Sequence, residues 1–203
     1  MILSRLAGAQ GRNDEEPNKA LGRELAESED TASIQLIADH LWDEDKRVRT
    51  DCISVLEEIG RQNPALIATY AEDFIKLLGS KHNRLVWQAM ENLALVAALR
   101  AELILAHFSD IVGAIETGSV ITRDHGIKTL ANAAAVDKAC NQAFLPFLFD
   151  QLRTCRPKSV AQYAESTNVA IRDDTRGAFE DILTMRMNEL SAAQARRVKK
   201  LIR

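Results

Sequence analysis

Basic side chains beside a tryptophan are the residues of this chain best suited to binding chemistry. Trp87 follows Arg84 at the start of a predicted helix, and further cations occupy comparable places elsewhere in the chain. Arginine offers planar donors to carboxylate or phosphate groups, and tryptophan is a frequent anchor of interfaces. We therefore predict a binding site formed by Trp87, Arg49, Arg84, Arg123 and Lys128.

No pattern for catalysis or metal binding accompanies these residues. The four histidines are far apart, and none forms the i, i+4 pair that binds a metal ion on one helix face. The three cysteines Cys52, Cys140 and Cys155 are odd in number and widely spaced, which favours free thiols in a reducing compartment. Glu57 and Glu58 lie in a predicted helix, where solvated charge is the ordinary explanation. We predict no enzymatic activity, no metal site and no cofactor.

The elements that must position the binding residues are helices that repeat every 37 residues. Four stretches carry apolar side chains at the helical offsets i, i+3, i+4 and i+7. They are Ile34/Ile37/Ala38/Leu41, Ala71/Phe74/Ile75/Leu78, Phe108/Ile111/Val112/Ile115 and Leu145/Leu148/Phe149/Leu152. A helical stripe at a fixed long period is typical of a solenoid of stacked helical hairpins.

A second helix follows each striped helix and supports the same period. The matching positions of the first three units are Leu56/Leu93/Leu130, Ile53/Met90/Ile127, Cys52/Ala89/Gly126 and Gly60/Ala97/Ala134. Small residues at fixed positions allow neighbouring helices to approach closely. All four prolines, Pro17, Pro64, Pro146 and Pro157, are predicted to begin helices. The sequence thus predicts an all-α chain: a right-handed α-solenoid of about four hairpins with capping helices.

The domain organisation follows from this architecture. Residues 1–16 are expected to form a flexible leader, and residues 17–203 a single solenoid domain. The caps are expected at about 17–29 and 172–203. Ser191 and Gln194 match a capping box that opens the last helix.

The first unit, from Ile34 to Gly60, resembles a HEAT repeat. An apolar helix is followed by an acidic turn, and Val48 and Arg49 then enter the second helix. The spacing from Asp43 to Arg49 resembles the Asp and Arg ladder of that family, but the other units lack one or both members. The resemblance implies a divergent HEAT-like (armadillo/HEAT) array whose second helices line a concave face. Such arrays mostly serve as non-enzymatic binding scaffolds.

The partner of the predicted site has more than one interpretation. We expect a protein partner, with Trp87 either exposed on the concave surface or buried against the next repeat. The alternative is a nucleic-acid-binding protein, because HEAT-like alkylpurine DNA glycosylases use Trp, Asp and Arg residues in a basic groove. Trp87, Glu91 and Arg123 resemble that set in residue type. The basic turns have a third interpretation as ordinary polar turns that bind nothing.

Net charge and hydropathy bear on which partners and which compartment we expect. The net charge of −3 gives no global attraction to nucleic acid or to an anionic membrane. No apolar span of about 18 residues is present, so we expect no membrane insertion and a cytoplasmic protein.

Overall fold

The computed structural model describes residues 2–202, which contain twelve α-helices and no β-strand. The helices are α1 (Glu16–Ser28), α2 (Thr31–Asp39), α3 (Lys46–Gln62), α4 (Ala71–Leu77), α5 (Asn83–Val96), α6 (Ala101–Ala106), α7 (Phe108–Thr117), α8 (Val120–Val136), α9 (Lys138–Thr154), α10 (Pro157–Asn168), α11 (Asp173–Arg186) and α12 (Ala192–Lys199). Short 3-10 turns lie at Ile2–Arg5, His40–Trp42, Pro64–Leu66, Ala68–Tyr70 and Met187–Glu189.

The helices form two layers, as the predicted solenoid requires. Helices α1, α3, α5, α8, α10 and α12 pack one against the next in chain order, and we call them the second-helix layer. Helices α2, α4, α7 and α9 pair with α3, α5, α8 and α10 to make four hairpins. The all-α solenoid predicted from the repeat is confirmed.

The repeating stripe is the core of the molecule. All of its positions are buried except three, Leu78, Phe108 and Val112, which are half-buried. Phe108 still contacts Phe144, with ring centroids 4.8 Å apart. In the second-helix layer, Leu56, Leu93 and Leu130 are fully buried. The 37-residue period therefore marks the side chains that each hairpin buries against its neighbours.

One proline departs from its predicted place. Pro146 was expected to begin a helix, but it lies inside the continuous helix α9. Asp137 starts that helix instead, and its carboxylate accepts a hydrogen bond of 2.7 Å from the amide of Cys140. The equivalent stretch one repeat earlier is interrupted at His107, which separates α6 from α7.

The N-terminal segment is packed rather than a flexible leader. Leu6 and Ala7 are buried, and the amide of Gly8 donates to Asp51 Oδ2 at 2.8 Å. Asn18 of α1 donates to the other oxygen of Asp51 at 3.0 Å, and its own amide oxygen accepts from the amide of Ala7. A polar composition does not reveal that Asp51, on α3, accepts from a backbone amide of this segment and from the side chain of Asn18. Residue 1 lies outside the described residues.

The C-terminal cap depends on a buried arginine. The guanidinium of Arg186 donates to the carbonyls of Leu152, Arg153 and Cys155, at 2.6–2.7 Å, and to the carboxylate of Glu189. These carbonyls belong to the end of α9, where a helix leaves acceptors without partners. Arg186 thus ties α11 to α9. The capping box of Ser191 and Gln194 at the start of α12 is confirmed.

Replacing Gly22 by alanine tests the close approach of α1 and α3. A Cβ atom at Gly22 would lie 2.6 Å from Glu58 Cβ and 2.9 Å from the Val55 carbonyl oxygen. We expect Gly22→Ala to lower the free energy of unfolding by about 1–3 kcal/mol, because the helices must separate. Urea denaturation measures this. The matched control is Gly177→Ala in α11, where a Cβ meets nothing within 4 Å. The control gains up to about 1 kcal/mol from helix propensity, and equal effects of the two variants would contradict the prediction.

Candidate functional site

Trp87 lies in a cavity of about 430 Å³ on the second-helix layer. The tryptophan is half-buried, so it is neither the fully exposed nor the fully buried residue of the two sequence interpretations. Its neighbours are mainly charged. We call this site the Trp87 cavity, and its lining residues are Glu15, Lys19, Ser54, Glu57, Glu58, Arg61, Trp87 and Glu91.

Two packed helices place the central side chains of the Trp87 cavity. Trp87 and Glu91 are four residues apart on α5, and Glu57 and Arg61 are four residues apart on α3. Residues at this spacing lie on the same helix face. Helices α3 and α5 pack directly against each other. Both pairs therefore face the same groove.

A single guanidinium is shared by two carboxylates in this groove. Arg61 Nη2 donates to Glu57 Oε1 at 2.7 Å and also to Glu91 Oε1. The side chains of Glu57 and Glu91 are only 16% and 12% exposed. Two largely buried negative charges thus share one cation, which leaves the pair short of positive charge.

Among residues 2–202, the only basic side chains with a nitrogen within 4 Å of the Glu57 or Glu91 carboxylate are Arg61 and His125. Lys19 also lines the cavity, but its Nζ lies 3.9 Å from Glu16 Oε1. Glu15 already pairs with Arg84 at 2.6 Å, and Arg23 lies 3.8 Å from Glu58. His125 of α8 places Nε2 3.5 Å from Glu91 Oε2. Burial lowers the pKa of His125, although Glu91 opposes that shift. A neutral imidazole adds no positive charge to the site.

The deficit of positive charge changes the protonation of Glu57. Burial and the nearby charge of Glu91 raise the pKa of Glu57 to about 7, although Arg61 acts in the opposite direction. A cation brought to this pair would lower that pKa and bind the ionised form. The geometry is therefore suited to a positively charged group beside an aromatic ring.

The predicted arginines take separate places in the structure. Arg84 is exposed and reaches the rim of the Trp87 cavity through Glu15. Arg123 lies away from that cavity, where its Nε and Nη2 donate to the carbonyls of Ile115 and Glu116 at 3.0 and 2.9 Å. Arg123 thus caps the end of α7. Trp87 and Glu91 share one cavity, but Arg123 lines a different one, so the glycosylase-like triad is not assembled.

The remaining predicted residues lie on α3 and α8. Arg49 is half-buried, and its Nε has no hydrogen-bond partner among residues 2–202. Asp43, the acidic residue whose spacing to Arg49 resembles the HEAT ladder, accepts from the amide of Asp45 at 2.8 Å. Lys128 is exposed on α8, at the position equivalent to Glu91 on α5.

Sequence reasoning missed Glu57 and Arg61. Glu57 was interpreted as a solvated charge, but its side chain is largely buried against α5. The available signal was the i, i+4 pairing of Glu57 with Arg61 on one helix face. That spacing alone does not show that Glu91 of the next repeat joins the pair.

The cysteines and the side chains of metal-binding type are the other groups that bear on catalysis. Burial raises the pKa of Cys52 and of Cys140 to about 12, so these thiols stay protonated at neutral pH. Residues 2–202 hold no cluster of three His, Cys, Asp or Glu side chains that could bind a metal ion. Over the same residues, no helix has the length and apolar character needed to cross a membrane.

Comparisons with known proteins identify the fold. No protein-family model and no curated protein sequence matches the chain. A designed armadillo repeat protein, YIII(Dq)4CqI, is similar with a TM-score of 0.70 and 14% identity, over 99% of this chain and 97% of that one. Armadillo repeat proteins computationally designed for modular peptide recognition give a TM-score of 0.70 and 13% identity, over 98% and 96% of the chains. Kap121p gives a TM-score of 0.65 and 15% identity, over 98% of this chain and 22% of Kap121p.

These similarities confirm the architecture predicted from the repeat. The chain has the fold of a HEAT/armadillo-type helical repeat protein. Stacked repeats of this type form an extended surface along successive helices.

The raised pKa of Glu57 predicts a pH-dependent contribution to stability. Its folded-state pKa of about 7 exceeds the ordinary value of 4.5, so the contribution is complete below pH 4.5 and is lost as the pH rises to about 7. Glu57→Gln keeps a neutral side chain at every pH. We expect the variant to exceed the wild-type free energy of unfolding by about 1–2 kcal/mol above pH 7, with no difference at low pH. Urea denaturation across this pH range measures it.

The control for this measurement is Glu27→Gln, which changes an exposed carboxylate of α1. Its stability should follow the wild-type pH profile. If the profile of Glu57→Gln is parallel to the wild type, the two carboxylates are not short of a cation, and the account of the Trp87 cavity is wrong.

Proposed function

We propose that this protein is a scaffold that binds an extended segment of a protein partner along the second-helix layer. The Trp87 cavity takes a basic side chain of that segment. The observation that carries this proposal is the single guanidinium of Arg61 shared between the largely buried carboxylates of Glu57 and Glu91.

A basic side chain satisfies the cavity in two ways. Its charge supplies the cation that Glu57 and Glu91 lack, in a partly buried site where an ion pair is stronger than on the surface. Its alkyl and guanidinium portions can lie against the ring of Trp87, and a cation–π contact of this kind contributes about 1–2 kcal/mol. Arginine fits better than lysine because its planar group forms bidentate pairs with carboxylates.

The next helix of the second-helix layer, α8, is suited to an acidic residue of the partner. Lys128 on α8 occupies the place that Glu91 occupies on α5, and the two helices are neighbours. Packed helices lie about 8–10 Å apart, and an extended chain rises about 3.3 Å per residue. A segment crossing both helices would therefore carry its basic residue and an acidic residue about three positions apart.

The same carboxylates disfavour nucleic acid as the occupant of this cavity. Glu15, Glu57, Glu58 and Glu91 surround Trp87, and a phosphate backbone placed there would meet like charges. Tryptophan can stack on a base, but four carboxylates outnumber the two cations of the lining, Lys19 and Arg61, so a phosphate backbone is not held in place there. A protein segment is the occupant that suits both the ring and the charges.

The fold supports peptide binding by its rigidity. One group of similar structures is described as armadillo repeat proteins designed for modular peptide recognition. In a solenoid each hairpin packs on its neighbours, so the surface is held in place before a partner arrives. Binding then costs little conformational entropy on the scaffold side.

A short peptide tests this function directly. Two peptides are prepared, one with an arginine three positions before a glutamate and one with the glutamate three positions before the arginine. Isothermal titration calorimetry should detect binding of one of the two peptides. Trp87→Ala should weaken that binding about tenfold through the loss of about 1–2 kcal/mol. Binding should strengthen from about pH 6 to pH 8, because Glu57 ionises over this range.

The matched control is Trp42→Ala, which removes the exposed tryptophan of the first hairpin. It should leave binding unchanged, and both variants should keep the wild-type helical circular dichroism. A peptide with glutamate in place of arginine should not bind. Equal binding of both peptides, or of single-stranded DNA in place of either, would contradict the proposal.

A further inference from the structure

A second cavity, of opposite chemical character, lies between α8, α9 and α10. Its volume is about 280 Å³, and two arginines face into it. The lining residues are Val120, Arg123, Gln151, Thr154, Cys155, Arg156, Ser159 and Tyr163, and no carboxylate side chain is among them. We call this site the arginine cavity.

The two arginines are held in place while part of each guanidinium stays available. Arg123 is fixed by its bonds to the Ile115 and Glu116 carbonyls, which leave Nη1 without a hydrogen-bond partner in residues 2–202. Arg156 donates from Nε to Ser159 Oγ at 3.2 Å, and its two terminal nitrogens have no partner in the same part of the chain. Donors from two helices thus converge on one space.

A buried hydroxyl group adds a neutral donor to the same wall. Tyr163 is 4% exposed and Ser159 is 6% exposed, and both line the cavity. Burial raises the pKa of Tyr163 to about 12, with Asp124 contributing in the same direction and Arg123 and Arg156 opposing. The phenol therefore keeps its proton throughout the physiological range. A hydrogen bond from Tyr163 lowers the pKa of Asp124, so Ser159 is the hydroxyl that remains available as a donor.

The start of α10 completes the positive character of the site. Pro157 lies in its first turn, and no side chain caps the amides there. The first turn of a helix carries partial positive charge. Pro157 has no amide hydrogen and the Ser159 amide donates to the Arg156 carbonyl at 2.9 Å, so Lys158 offers the available amide. In the arginine cavity this end of α10 lies beside two guanidinium groups, so three independent sources of positive potential meet.

We propose that the arginine cavity binds a phosphate monoester, as carried by a phosphorylated serine or threonine of a protein partner. Such a group has three acceptor oxygens and a charge near −2, which matches converging guanidinium donors. A cavity of about 280 Å³ holds the phosphate and the first atoms of the side chain that bears it.

One acidic group close to the arginine cavity affects the strength of the site. Asp124 follows Arg123 on α8; it raises the pKa of Tyr163, and the charge of Arg156 acts to lower the pKa of Asp124. It does not line the cavity, and it is one carboxylate against two arginines. A bound phosphate therefore meets a net positive field that removal of Asp124 would strengthen.

The enclosed shape favours a monoester over a nucleic-acid backbone. Phosphodiesters bear one negative charge each and are bound by cations spread along a groove. Here the cations converge within one small cavity, while the neighbouring Trp87 cavity is rich in carboxylates. The arrangement suits one terminal dianion.

The test uses the whole chain and four probes in low-salt buffer. The probes are inorganic phosphate, a phosphoserine peptide, its unphosphorylated twin and single-stranded DNA. Calorimetry should detect phosphate and, more tightly, the phosphoserine peptide, while the twin and the DNA should not bind. In nitrogen-15 NMR spectra, the amides of Lys158 and Ser159 should shift with both phosphate probes.

Three variants complete the design. Arg156→Ala should weaken phosphopeptide binding at least about tenfold, since charge-assisted bonds are lost. Asp124→Asn should tighten it about two- to fivefold, because a like charge is removed. Arg153→Ala, an exposed change on the adjoining turn that does not line the cavity, should have no effect.

Several results would overturn the proposal. They are no binding of either phosphate probe, equal loss of binding in Arg153→Ala and Arg156→Ala, and unchanged binding in Arg156→Ala. Competition by single-stranded DNA with steep salt dependence would assign the cavity to nucleic acid instead. Trp87→Ala should not alter phosphate binding, so failure here is distinguishable from failure of the proposed function at the Trp87 cavity.

Discussion

The close stacking of each hairpin on its neighbours is the constraint on which this structure depends. No hairpin encloses its own apolar stripe, so each one is stable only when the next covers it. Gly22 shows how tight the stacking is, because a Cβ atom there would lie 2.6 Å from Glu58 Cβ on the next second helix. Small residues at such crossings set the distance between successive second helices, and the grooves lie between those helices. The Trp87 cavity and the arginine cavity both lie in such grooves.

The core was predictable from sequence because burial follows the helical period. Ile37, Phe74, Ile111 and Leu148 recur at one interval, and each is fully buried. Pro146 was misplaced because a helix that is long and well packed tolerates a proline that a short one would not. The packing of the segment before α1 was not predictable, because it depends on a hydrogen bond from Gly8 to Asp51 of α3. That contact joins residues 43 positions apart, which no local pattern reveals.

The candidate site was predictable only in part, because charge partners depend on the packing between repeats. Trp87 lies in a surface cavity, but the cations predicted to join it in a binding site make other contacts. Arg123 binds helix carbonyls and Arg84 pairs with Glu15, while two carboxylates occupy the groove that was expected to be basic. A turn rich in arginine indicates cations in general. It does not show which carbonyl or carboxylate each one reaches after the repeats stack.

The interruption at His107 has a mechanical consequence. Helices α6 and α7 together correspond to the continuous helix α9 one repeat later. These two equivalent helical segments therefore differ in stiffness. A continuous helix resists bending along its length, whereas a helical segment that is interrupted at one residue bends at the interruption. The second hairpin is divided as well, by the 3-10 turns before α4, so strain applied to the ends of the array would concentrate in the second and third hairpins rather than in the fourth. The groove between α5 and α8 would open or close first, and with it the distance between Glu91 and Lys128 would change.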